Sequence, residues 1–159
     1  MLFVYLVCSG ILWTIASGTD CPSFWIVFED SCYRFEHNTL SFAQAEEYCR
    51  QHDSHLVHIE TARENSFLKE FVKYMDSTRW WIGLTDDDLE GYWVWHGTDV
   101  TPTFTDWHSG EPSSSGGNED CADLLLSGGK WAWNDENCNT HRHPAICEKN
   151  KNVEVAVIG

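Results

Sequence analysis

A chain of 159 residues is sized for one domain, and 42% hydrophobic residues, nine Trp among them, allow a real core. The formal net charge of −15 argues against nucleic acid or an anionic membrane surface as partner, because both repel such a chain. The charge is also unevenly spread. Residues 80–129 contain no Lys or Arg, yet Asp86, Asp87, Asp88, Glu90, Asp99, Asp106, Glu111, Glu119, Asp120 and Asp123 all fall there. So one-sided a segment repels itself unless cations sit in it, although a solvated acidic face is the plainer alternative.

Residues 1–18 have the pattern of a secretory signal: two short apolar runs, too short for a normal membrane span, then Ala16-Ser17-Gly18 for a peptidase. The missing Lys or Arg at the start departs from that pattern, and an uncleaved anchor is the lesser alternative. Cys8 lies inside this segment. Its removal leaves Cys21, Cys32, Cys49, Cys121, Cys138 and Cys147, an even set that implies a disulfide framework open to fifteen pairings. No pair has the close spacing of a zinc site. A secreted, extracellular chain is the expectation.

In chain order, residues 25–28 and 32–35 predict a hairpin around Glu29-Asp30. Ser41 with Gln44 forms a capping box and starts a helix with Phe42, Ala45, Tyr48 and Cys49 on one face, ending at residues 52–55. A short strand is expected at 56–59. Thr61 with Glu64 repeats the capping box, and Phe67, Leu68, Phe71, Val72 and Met75 recur at helical spacing as core. Trp81-Ile82-Gly83-Leu84 predicts a buried strand, 85–91 an acidic turn and 92–95 another strand. Residues 97–118, rich in Gly, Ser, Thr, Pro and Asp, form a long loop of the kind that carries function. Further strands are expected at 121–126, 130–133 and 144–148, with turns at 127–129 and 134–142. Residues 150–159 are a tail too short for a membrane span. There is no internal repeat and no Asn-x-Ser/Thr acceptor.

The candidate chemistry lies between Glu111 and Cys138. Glu111, Glu119 and Asp135 bring carboxylates, Asn134 an amide oxygen and Ser113 a hydroxyl. Such hard oxygens without thiolate or imidazole select Ca2+. Pro112 makes Glu111–Pro112 the one kind of bond that readily goes cis, which would turn the flanking side chains to one side. The pair His141 and His143 is expected to be exposed and not a metal site. Trp81, Trp93, Trp95, Trp131 and Trp133 alternate like core, and Trp107 is either a sugar-stacking ring or a loop anchor. Glu111 and Glu119 could be drawn as a glycosidase pair. Carboxylates gathered on a metal serve poorly as acid and base, and no enzyme is expected.

Glu111-Pro112-Ser113, Cys121 ten residues after Glu111, and Trp133-Asn134-Asp135 three residues before Cys138 resemble the C-type lectin domain, as does Trp81-Ile82-Gly83-Leu84. The resemblance covers residues 21–148. It implies an α+β C-type lectin fold of two helices, small antiparallel sheets and a long calcium-binding loop, occupying residues 19–149. It also implies the disulfides Cys21–Cys32, Cys49–Cys147 and Cys121–Cys138, each contributing ~2–4 kcal/mol. Glu111, Ser113, Glu119, Asn134 and Asp135 would ligate the principal Ca2+ and hydrogen-bond two adjacent sugar hydroxyls. Asp86, Glu90 and Asp120 would form an auxiliary Ca2+ site, for which a solvated acidic turn is the alternative. Glu111 belongs to the mannose-type pattern, but Ser113 stands where that pattern has Asn, so mannose, GlcNAc or fucose-like diols are expected with loosened specificity. The implied role is calcium-dependent glycan capture in innate defence, at microbial or cell surfaces, with a homodimer or a multivalent target supplying avidity. The alternative is an acidic mineral-binding matrix protein, as perlucin-like members of the family are.

Overall fold

The structure, a computed structural model, describes residues 21–151. The signal-peptide expectation and all but the first two residues of the tail lie outside them. Strand β1 (Ile26–Phe28) turns at Glu29-Asp30 into β2 (Ser31–Leu40), with Val27 opposite Cys32. Helix α1 (Phe42–Gln51) begins at Ser41, whose hydroxyl accepts from Gln44 N while the Gln44 amide accepts from Ser41 N at 3.1 Å, closing the capping box. Its Phe42, Ala45 and Cys49 are buried, whereas Tyr48 is only half so.

Strand β3 (His55–Leu56) is shorter than expected, because Val57 and Ile59 are buried without extending the β3–β8 ladder. Helix α2 (Ala62–Val72) starts at Thr61, which accepts from Glu64 N at 3.1 Å. Its expected box stays half open. The Glu64 carboxylate instead takes the Tyr33 hydroxyl at 2.8 Å and Glu60 N at 2.9 Å, a buried partner outcompeting the local one.

Strands β4 (Arg79–Thr85), β5 (Val94–Trp95), β6 (Cys121–Ser127), β7 (Lys130–Glu136) and β8 (His143–Asn150) complete the chain. Hydrogen-bonded order is β1-β2-β8-β4-β6-β7, with β3 on β8 and β5 on β4. Pairings between these strands are antiparallel except β4 with β8, where Trp81 faces Ala145, so the small sheets expected from the sequence are joined into one eight-stranded sheet.

The alternation of β4 divides the core. Trp80, Ile82 and Leu84 pack with Leu68 and Val72 of α2, while Trp81 packs with Phe42, Ala45 and Cys49 of α1. Gly83 is obligatory between them, since a Cβ there would stand 2.5 Å from the Leu56 carbonyl oxygen. The three expected disulfides form, with Cα–Cα separations of 5.5, 5.4 and 5.3 Å.

Candidate functional site

The long loop is held from behind before any ligand chemistry begins. Trp107 packs edge-on against Trp133 at 5.7 Å and against Trp93 at 4.9 Å, so it is a loop anchor and not a sugar platform. Backbone bonds run from His108 N to Trp133 O (2.7 Å) and from Trp133 N to Asp106 O (2.8 Å). Helix α2 joins in. Asp106 accepts from Lys69 Nζ and from Asn65 Nδ2, and the buried Asn65 accepts the Trp133 indole N–H at 3.1 Å. Trp133 is thereby pinned at its backbone and at its indole N–H, which fixes Asn134 and Asp135 after it.

Those two residues were expected in a turn. They lie on β7, which continues through Glu136 because Cys121, Ala122 and Asp123 of β6 supply ladder partners that local propensity does not reveal. The Glu111–Pro112 bond is cis. Ser113 N and Ser114 N both donate to Asp135 Oδ2, at 2.7 and 2.5 Å. Ser115 N donates to Glu119 Oε2 at 2.6 Å, and Ser113 Oγ to the same oxygen at 3.3 Å. The Asn134 Nδ2 donates to Asp135 O. Glu111, Ser113, Glu119, Asn134 and Asp135 therefore share one neighbourhood.

Glu111 is pushed above the usual carboxylate range by burial first, then by Asp135 beside it, with Glu119 adding repulsion. Glu111 Oε2 and Asp135 Oδ1 are sealed from solvent without hydrogen-bond partners. Among the described residues no three His, Cys, Asp or Glu side chains form a ready-made cage. The donor set is instead two carboxylates with orphaned oxygens, a third carboxylate, an amide and a hydroxyl. All are hard oxygens, and Ca2+ tolerates their irregular arrangement. The residues fit that ion.

Asp86, Glu90 and Asp120 lie near enough for their charges to interact, but like the first set they form no ready-made cage among the described residues. Asp86, 3% exposed, accepts Gly91 N at Oδ2 (2.7 Å), while its Oδ1 has no partner. Burial raises the pKa of Asp86 and of Asp120, and neighbouring charges add, with Glu90 repelling both. The Ser114 hydroxyl donates to Glu90 Oε2 at 3.2 Å, linking the two sets through one loop residue.

The expected exposed histidine pair is half corrected. His141 is exposed and bonds Glu136 Oε1 at 2.8 Å, but His143 is buried against Trp81 at 4.5 Å. Burial, with Arg79 nearby, takes its pKa down to about 4.

Comparison with known proteins agrees with the fold. The Lectin C-type domain family model matches residues 38–149. C-type lectin domain family 10 member A of Homo sapiens is 40% identical over 137 residues, covering 82% of this chain and 40% of that protein. Asialoglycoprotein receptor 2 of Mus musculus is 37% identical over 145 residues, covering 87% and 45%. Perlucin of Haliotis laevigata is 36% identical over 132 residues, covering 82% and 84%. The chain thus spans less than half of the first two relatives and most of the third. Among solved structures, the mouse scavenger receptor C-type lectin carbohydrate-recognition domain superposes with TM-score 0.73 at 34% identity, covering 83% of this chain and 99% of that one. A Ca2+-dependent type II antifreeze protein in its Ca2+-free form gives 0.73 at 32%, covering 82% and 100%. A calcium-independent type II antifreeze protein gives 0.71 at 26%, covering 83% and 95%. This chain belongs to the C-type lectin family.

Proposed function

We propose that the chain is a secreted, calcium-dependent lectin of the mannose type, capturing glycans on microbial or cell surfaces in innate defence. The observation that carries the reading is the pair of buried, unpartnered oxygens, Glu111 Oε2 and Asp135 Oδ1, among other oxygen donors. Glu111, Ser113, Glu119, Asn134 and Asp135 would hold Ca2+, which when bound supplies coordination to two adjacent sugar hydroxyls. The remaining work belongs to the side chains. Carboxylate oxygens of Glu111 and Glu119 accept from the diol, and the Asn134 amide donates to it. Asp86, Glu90 and Asp120 would take an auxiliary ion that stiffens the loop. Carboxylates committed to the ion serve poorly as acid and base for hydrolysis.

A glycan array probed in calcium and again in chelator tests the reading. Retention of mannose, GlcNAc or fucose-terminated glycans in calcium alone is expected, and equal binding in chelator overturns it. The acidic run at residues 80–129 favours one other reading, mineral binding. Free mannose distinguishes the two, because adsorption to calcium carbonate would ignore it.

A further inference from the structure

Behind Asn134 the sheet carries charges that the sugar site does not touch. Arg79 of β4 donates through one nitrogen to Asp123 Oδ2 on β6 at 3.0 Å and to Glu136 Oε2 on β7 at 2.6 Å. Asp123 is fully buried and Glu136 is 6% exposed. Two buried carboxylates on one guanidinium are costly to keep in a core, and well-packed apolar residues could replace them without loss of stability. The placement of Asp123 gives a reason for them.

Asp123 stands directly opposite Asn134 in the β6–β7 ladder, which sets their Cβ atoms roughly 5 Å apart on one face. The Asn134 amide is near enough to act on the Asp123 carboxyl group. Asp123 Oδ1 is sealed from solvent and has no hydrogen-bond partner. Burial pushes Asp123 up to about 7 against the pull of Arg79, so above that pH it is an ionised carboxylate that only accepts, attracting the NH2 end of a facing amide and repelling the carbonyl end. The Nδ2 of Asn134 already turns to another acceptor, the Asp135 carbonyl.

We propose that Asp123, clamped by Arg79, is a positioning residue that holds the Asn134 amide with one Nδ2 hydrogen inward, the other (now on the Asp135 carbonyl) free to turn to the diol, and Oδ1 on the cation side, and so sets the affinity for an oxygen-ligated divalent cation. This rests on the reading of Asn134 as a calcium ligand. The side chain touches neither ion nor sugar. It acts by denying Asn134 the reversed orientation, in which an N–H would face the cation.

Calorimetric calcium titrations of the full chain test the assignment in four forms: parent, Asp123→Asn, Asn134→Asp and the double variant. Near-UV circular dichroism of the tryptophans reports folding. Asp123→Asn, whose amide accepts either end of Asn134, weakens calcium binding about tenfold, the lower end of what second-sphere partners contribute. Asn134→Asp presents two equivalent oxygens and needs no orienting. In that background Asp123→Asn removes only the attraction of a neighbouring negative charge for the cation, so calcium affinity falls by much less than in the parent. Equal weakening in both backgrounds would mean a structural role only and overturn the assignment. Should Asp123→Asn fail to fold, Arg79→Lys keeps the charge but its shorter side chain ends short of the nitrogen that now bridges Asp123 and Glu136, and the same background-dependent loss is expected. A parent chain that binds no calcium overturns the reading and this assignment together. A parent that binds while Asp123→Asn and Arg79→Lys bind equally well overturns the assignment alone.

Discussion

Serine at position 113 is where the chain leaves the mannose-type pattern, and its contacts show how little it has to offer a sugar. Its amide donates to Asp135 and its hydroxyl to Glu119, so one short oxygen serves the carboxylates and has no second donor for a diol. A single sugar is therefore expected to bind near ~1 mM, about −4 kcal/mol. Asn at this position adds an N–H and a ligand oxygen. Ser113→Asn should strengthen mannose binding by about fivefold, the equivalent of one added hydrogen bond near ~1 kcal/mol. Titration with methyl mannoside in calcium checks it, and an unchanged affinity would mean that the loop recognises something other than a simple diol. Asn134→Ala should abolish sugar binding. Asn134 is only 9% exposed and backs onto Asp123, so about 1 kcal/mol of stability goes with it. A variant that still binds mannose would move the site elsewhere.

At the scale of elements, legibility followed the range of the interactions. Both helix starts could be read because Ser41 and Thr61 act on residues three positions away. β4 was equally plain, an unbroken apolar run buried on both faces. β7 was cut short because Asn134, Asp135 and Glu136 look like a turn until β6 is laid beside them. The partners that brace the site escaped for the same reason: Asn65 and Lys69 reach Asp106, and Arg79 reaches Asp123 and Glu136, across 37 to 57 residues. β4 is the element on which the rest depends. Trp81→Ala should cost roughly 3–5 kcal/mol by urea denaturation, through the cavity and the stranded Leu40 carbonyl that its indole N–H now serves at 2.8 Å. Gly83→Ala is a smaller change in volume but meets backbone at Leu56 and the His58 ring at 2.9 Å. A loss of about 1–3 kcal/mol is expected, because neither neighbour is the free end of a flexible chain. A Gly83→Ala protein as stable as the parent would show that β3 can move aside.

The whole molecule faces opposing demands as pH changes. With a net charge of −15 the fold repels itself at neutral pH. Buried carboxyls add to this. Burial, with Glu148 close by, pushes Glu64 up to about 7, well above its ordinary value. A carboxyl raised in the fold binds its proton more tightly there than in the unfolded chain. Its contribution is complete below the ordinary carboxylate range and is lost as pH rises through about 7. In chelator, melting temperature should therefore fall between pH 5 and pH 8. Calcium reverses the slope, because it binds only the folded arrangement and only ionised carboxylates. In calcium the melting temperature should rise over the same span, and sugar release should follow acidification. Glu64→Gln separates the contributions. It removes the Glu64 part of the decline in chelator while leaving the calcium-dependent rise intact, since Glu64 sits in the first turn of α2, outside the ligand set. Thermal melts of parent and Glu64→Gln across pH, each with calcium and with chelator, decide it. Parallel pH profiles with and without calcium would mean that no ion couples to the fold.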